Sequence, residues 1–147
     1  MSRKSLIVLL VEDDPDHTEL IIRSFQNTRF THRIKHVADG ALALDYLFRK
    51  GEYADAAKSP RPNLILLDLR IPKVDGMEVL KKIKGTDKLL RIPVVILTSS
   101  TIQKEIDAAY DNHANSYLVK PVDFDKFTKL IRGLRCYWLE WNHNPNL

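Results

Sequence analysis

The chain has 147 residues, of which 44% are hydrophobic and 29% charged, with a formal net charge of +4. That is the size and make-up of one ordinary globular domain with its own core, which sets aside disordered and fibrous classes. No apolar run approaches the roughly eighteen residues of a spanning helix, the mild positive charge is interleaved with acids and is weak evidence for nucleic acid, and the single cysteine, Cys136, can form no internal disulfide. The expectation is a cytoplasmic protein of one domain, residues 1–147, without an output domain, in which Cys136 serves packing.

The first element is the apolar run Leu6 to Val11, a strand buried on both faces that ends in Glu12, Asp13 and Asp14. Asp14 before Pro15 reads as an N-cap followed by proline at the first helical position. The helix it opens runs to about Asn27, with Leu20, Ile21 and Phe25 facing inward. Arg33 to Ala38 alternates as a weaker second strand. Asp39 and Gly40 break the chain before a second amphipathic helix, Ala41 to Arg49, and Lys50 to Pro62 reads as a loop, long for its position.

Leu64 to Leu67 is a third, fully apolar strand that delivers a single carboxylate, Asp68, into a Pro-containing loop ended by Gly76. A third helix follows from Met77 to about Lys84, with Gly85 as its stop. Arg91 to Ser100 is a fourth strand ending in Thr98, Ser99 and Ser100. Thr101 to Asn112 is a polar fourth helix. Ser116 to Val119 is a short fifth strand ending in Lys120 and Pro121. Asp123 caps a last helix of unusual length, about 124–141, before a frayed tail, 142–147. Strands alternating with helices imply right-handed crossovers and an α/β, doubly wound parallel sheet of five strands.

In such sheets ligands bind outside the carboxyl ends of the strands. Those ends carry Glu12 and Asp13, then Asp68, then Thr98 with Ser99, then Lys120. Three carboxylates converging on one rim repel unless a cation sits among them. Oxygen-only donors favour a hard ion such as Mg²⁺, and the absence of histidine or cysteine at these strand ends argues against zinc. A carboxylate beside Mg²⁺, an ammonium and a hydroxyl is equipment for accepting a phosphoryl group, because that transfer depends on positioning and charge neutralisation. Each residue alone has a plainer reading: Asp68 or the Glu12–Asp13 pair as a turn, Thr98 as a satisfied strand-end hydroxyl, Lys120 as a surface lysine. Their placement on one rim is what turns plain parts into a site.

The motifs VEDD, LLDLRIPKVDG, PVVILTSS and YLVKP, which span nearly the whole chain, resemble those of two-component response-regulator receiver domains. The resemblance implies a flavodoxin-like fold of strand order 2-1-3-4-5, with Asp68 as phosphoacceptor and Glu12 and Asp13 as acidic residues around Mg²⁺. It also implies a metal contact from the backbone carbonyl of Arg70, Thr98 and Tyr117 as a switch pair, and Lys120 sensing the phosphate before a cis bond to Pro121. The donor would be a histidine kinase or phosphotransfer protein, and the chain a signalling switch instead of an enzyme acting on other molecules. One departure is Arg70, where the family often has Asn; its effect on phosphoryl lifetime or partner choice is left open.

A narrower resemblance runs through GEY, SPRPNLILLDL, RIPVVILTS and YWLEW. It is to the stand-alone receivers that partner bacterial phytochromes, and it implies a phytochrome-type kinase. It also implies a homodimer through the fourth helix, fifth strand and last helix, with Tyr137, Trp138, Leu139 and Trp141 read as interface residues. The rival is an aspartyl-phosphate-forming phosphatase, which would want a second acid where Arg70 stands. Flavin or nucleotide binding lacks a Gly-rich loop after the first strand, and direct DNA binding lacks a helix-turn-helix.

Overall fold

A computed structural model describes residues 6–26 and 32–145. The elements are β1 (Leu6–Val11), α1 (Pro15–Gln26), β2 (His32–Val37), α2 (Gly40–Phe48), β3 (Leu64–Leu67), α3 (Gly76–Lys84), β4 (Val94–Thr98), α4 (Gln103–Asp111), β5 (Ser116–Val119) and α5 (Phe124–Arg135). All strand pairs are parallel, in the order β2-β1-β3-β4-β5. This is the flavodoxin-like fold implied by the sequence. Asn27, where the first helix was expected to end, and residues 146–147 lie outside the described residues.

The unbroken apolar strands are explained by two cores. Leu9, Val11, Ile65, Leu67, Val94 and Ile96 face α2, α3 and α4, while Val8, Leu10, Leu64, Leu66, Val95 and Leu97 face α1 and α5. Successive side chains of a strand point to opposite faces, so a strand covered on both sides has no polar position to spare. The edge strand β5 has no fully buried residue, and its sequence is accordingly short and mixed. β4 is shorter than expected because the chain from Thr86 to Arg91 is taken up in turns, with the Leu89 and Leu90 amides both donating to the Thr86 carbonyl.

Helix starts follow their caps. Asp14 accepts from the Asp16 and His17 amides, Asp75 from Glu78, and Asp123 from Lys126. Asp39, expected only to break the chain, caps α2 by accepting from the Leu42 amide at 2.7 Å. Gly40 beside it is required by a close approach: a Cβ there would lie 1.7 Å from the Val74 carbonyl oxygen, so the loop after β3 rests on the start of α2. The Lys50–Pro62 loop is held by its own contacts, with a 3₁₀ turn at Gly51–Tyr53 and the Tyr46 hydroxyl donating to the Pro60 carbonyl.

Two expectations need correction and one needs refining. The last helix runs from Phe124 to Trp141 but changes its winding on the way: α5 ends at Arg135 and continues as a π-helical turn, Cys136–Trp141. Leu134 and Leu139 are both buried against the α1–α5 core. A spacing of five puts them on different faces of an α-helix with ~3.6 residues per turn, and a wider i→i−5 turn returns them to one. The tail is not frayed where it is described, since the Asn144 side-chain Nδ2 donates to the Asn63 carbonyl at 2.6 Å, just before β3. No cis peptide bond occurs among the described residues, so Lys120–Pro121 is trans. The Lys120 amide still donates to the Thr98 carbonyl at 2.8 Å, continuing the parallel ladder, and trans is the isomer an X–Pro bond favours by about 0.5–1 kcal/mol.

Candidate functional site

The ladder sets the rim. The Asp68 amide donates to the Val11 carbonyl at 3.1 Å, the Glu12 amide to Val37 at 3.1 Å, and Lys120 to Thr98, so the residues that follow β1, β3 and β5 come off the sheet side by side. Carboxylate oxygens of Glu12, Asp13 and Asp68 all lie within 4.8 Å of one another. Glu12 and Asp68 are buried and Asp13 is exposed at the opening. Among the described residues no histidine or cysteine joins the group. The donor set therefore fits a hard divalent cation entering from the Asp13 side.

Lys120 crosses from β5 and is buried with the acids. Its ammonium donates to Asp68 Oδ2 at 2.8 Å, to Glu12 Oε1, and to His17 Nδ1 at 3.0 Å. The other Asp68 oxygen, Oδ1, accepts from the Arg70 amide at 3.0 Å. Thr98 is fully buried at the end of β4, and the half-buried Tyr117 on β5 donates its hydroxyl to the Ser100 carbonyl at 3.0 Å. Burial raises the Tyr117 phenol above its usual range.

Burial also pushes the Glu12 carboxyl up to about 7, against the lowering effect of the Lys120 hydrogen bond and charge and with Asp68 adding repulsion. One ammonium serves two buried carboxylates, so its charge offsets the burial of Glu12 only in part. The sign for stability follows. Between the ordinary 4.5 and about 7 the folded chain binds a proton at Glu12 that the unfolded chain has released. The cation-free protein is therefore expected to lose stability as pH rises through that window, with a limiting slope of about 1.4 kcal/mol per pH unit. A divalent cation needs the ionised carboxylate, so its affinity is expected to rise over the same window and level off above it. Thermal unfolding at pH 5.5 and 8, with and without Mg²⁺, checks both: a larger Mg²⁺-induced rise in Tm at pH 5.5 than at pH 8 would contradict them.

Arg70 does not reach into the acidic group. Its guanidinium pairs with Glu105 on α4 at 2.8 Å, and the same Glu105 oxygen accepts from the Ser100 hydroxyl. Ser100 in turn receives the Ile102 amide and offers its own carbonyl to Tyr117. Arg70, Ser100, Glu105 and Tyr117 thus form one polar chain from the Asp68 loop to α4. Glu105, His17 and the bridging role of Ser100 were missed in the sequence; the one signal in reach was the Asp14–His17 spacing of three, which puts both on the first turn of α1.

Residues 8–132 match the family model of the response regulator receiver domain. The chain belongs to that family. Among its relatives is the probable methanogenesis regulatory protein FilR2 of Methanothrix harundinacea, 46% identical over 139 residues, which are 95% of this chain and 87% of that protein. Response regulator Rcp1 of Synechocystis sp. is 41% identical over 134 residues, 91% of this chain and 89% of Rcp1. The crystal structure of the Mn²⁺-bound form of Rcp1 superposes with a TM-score of 0.91, covering 95% of this chain and 99% of that one at 40% identity. That of the phosphorylated cyanobacterial phytochrome response regulator RcpA superposes at 0.92, covering 97% and 99% at 39% identity. This receiver therefore carries its acidic group, a candidate divalent-cation site, at the same rim as the lysine that joins Glu12 to Asp68. Among the described residues no helix is long and apolar enough to cross a membrane.

Proposed function

We propose that this receiver is a phosphorylation switch in which Asp68 accepts a phosphoryl group from a histidine kinase or a phosphotransfer protein. The observation that carries the reading is the buried Asp68 carboxylate held directly by the Lys120 ammonium, with Glu12 and Asp13 beside it. Glu12, Asp13, Asp68 and the backbone carbonyl of Arg70 would hold Mg²⁺, whose positive charge offsets that of the transferring phosphoryl oxygens. A carboxylate oxygen of Asp68 attacks phosphorus, the bond to the donor breaks, and the leaving group departs with its electron pair. Lys120 keeps its place and trades an Asp68 oxygen for a phosphoryl oxygen. The Thr98 hydroxyl turns to the new group, and Tyr117 leaves the Ser100 carbonyl for the space beside Thr98. The Arg70–Glu105–Ser100 chain then carries the change to α4, a bistable surface biased by a local charge.

A phytochrome-type kinase as donor is supported by the likeness to RcpA, a phytochrome response regulator. Homodimerisation through α4, β5 and the last helix is supported by exposed apolar side chains on those elements: Tyr110, Val119, Tyr137 at 54% and Trp141 at 76%. Leu139 is buried and Trp138 packs on the core, so only Tyr137 and Trp141 of the aromatic cluster are free to serve that interface. The phosphatase alternative loses ground, because the position that needs a second acid holds Arg70, engaged with Glu105.

Incubation with acetyl phosphate and Mg²⁺ followed by intact mass analysis tests the reading. The wild-type chain is expected to gain the mass of one phosphoryl group and Asp68→Asn to gain none. An unmodified wild type, or an adduct that survives in Asp68→Asn, would overturn it.

A further inference from the structure

We propose that His17 is a positioning residue for Lys120, holding the ammonium so that one N–H stays aimed at Asp68. The inference rests on the reading of Asp68 as phosphoacceptor. An ammonium has three N–H donors and no acceptor, and a buried one is costly unless each donor is taken. Lys120 is 3% exposed, and its three partners are Glu12, Asp68 and His17.

Two of those partners are carboxylates with a second role in the acidic group. His17 has none there, since it stands outside the set of oxygens that could hold a cation. Its place is set independently of that set. The first turn of α1 carries it, its amide donates to the Asp14 carboxylate at 3.2 Å, and its ring packs against Phe127 of α5 with centroids 5.2 Å apart. Asp14 Oδ2 lies 3.7 Å from the same Nδ1 that faces Lys120. An ammonium can only donate, so the contact is a hydrogen bond in the tautomer that leaves the lone pair on Nδ1 and the proton on Nε2.

A fixed lone pair on the third corner stops the ammonium from pivoting about Glu12. When a phosphoryl oxygen replaces the Asp68 oxygen, Glu12 and His17 still hold two corners, and the remaining N–H meets the new oxygen without a search. Loss of the His17 acceptor leaves one N–H of a buried cation unsatisfied and lets the lysine lean toward Glu12, away from the reacting atoms.

The test is the rate of phosphorylation by acetyl phosphate with Mg²⁺, followed by intact mass. His17→Phe keeps a ring for Phe127 and removes the acceptor; it is expected to slow the reaction about tenfold, the effect of one charge-assisted hydrogen bond. His17→Leu serves the same purpose if the larger ring does not fit. His17→Asn, whose side-chain oxygen reaches about where Nδ1 lies, is expected to restore the rate to within about twofold of wild type. In a Lys120→Met background His17→Phe is expected to change nothing further, because its effect runs through Lys120. Wild-type speed in His17→Phe and His17→Leu, equal slowing in His17→Asn, or effects that multiply with Lys120→Met would each overturn the positioning role and leave the phosphoacceptor reading standing. A wild-type chain that takes up no phosphoryl group would overturn both.

Discussion

Lys120→Met is expected to destabilise the cation-free protein at pH 8 by about 3 kcal/mol, since removing one partner of a buried ion pair leaves the other charge uncompensated. Here it leaves two, because Glu12 and Asp68 share the one ammonium. The loss is expected to shrink toward pH 5.5, where Glu12 is neutral in the fold and the remaining negative charge has less to repel it. Mg²⁺ should recover much of the loss at pH 8, and should bind the variant more tightly than wild type, because no resident cation competes for the carboxylates. Phosphorylation by acetyl phosphate is expected to fall by about a hundredfold, the usual penalty for deleting one fixed donor to developing charge. Urea unfolding at the two pH values and the rate of adduct formation measure these effects. A variant as stable as wild type at pH 8, or one that phosphorylates at the wild-type rate, would show that Lys120 has neither role.

Gly76→Ala is expected to disturb the same site from the backbone side. Gly76 opens α3 behind the Asp75 cap, its amide donates to the Leu69 carbonyl at 3.0 Å, and a Cβ there would lie 2.2 Å from the Asp68 carbonyl oxygen and 2.6 Å from Leu69 Cα. Both neighbours are main chain and cannot swing aside as a side chain would. Either the start of α3 backs away or the Asp68–Leu69 segment shifts, at a cost of about 2–3 kcal/mol typical of overpacking. Because the displaced atoms carry the acceptor, Mg²⁺ affinity and phosphorylation should fall along with stability. Gly133→Ala supplies the contrast. Nothing would stand within 4 Å of its Cβ, so in the interior of α5 the exchange is expected to raise stability by up to about 1 kcal/mol. Equal effects of the two substitutions in urea unfolding would remove the close-approach explanation.

The fate of the aromatic cluster explains a limit of reading by pattern. Tyr137, Trp138, Leu139 and Trp141 look like surplus apolar residues beyond the domain, and an interface was the natural expectation. A change of helical winding after Arg135 sends Leu139 into the α1–α5 core and leaves Tyr137 and Trp141 outside. Periodicity assumes one winding along an element, so a π-helical turn is invisible to it.

Arg70 makes the same point for the site. Its position two residues after Asp68 left its effect open, and the fold pairs it with Glu105, thirty-five residues on. His17 likewise meets Lys120 across 103 residues. Neither pairing leaves a local mark, because it arises only when two strands of the sheet bring separate loops to one edge.

Local order in this chain is written in the residues themselves. The bounds of β1, β3 and β5, the caps at Asp14 and Asp123, and the gathering of Glu12, Asp13, Asp68, Thr98 and Lys120 at strand ends all follow from apolar runs, cap chemistry and the alternation of strand and helix. Those signals act over a few residues, where steric and hydrogen-bonding preferences are strong enough to read. The trans Lys120–Pro121 bond, the third partner of the Lys120 ammonium, the tie from Arg70 to α4 and the folded-back tail at Asn144 belong to packing. Each pits several small energies against one another at a distance, and only the assembled sheet and helices settle which contact wins.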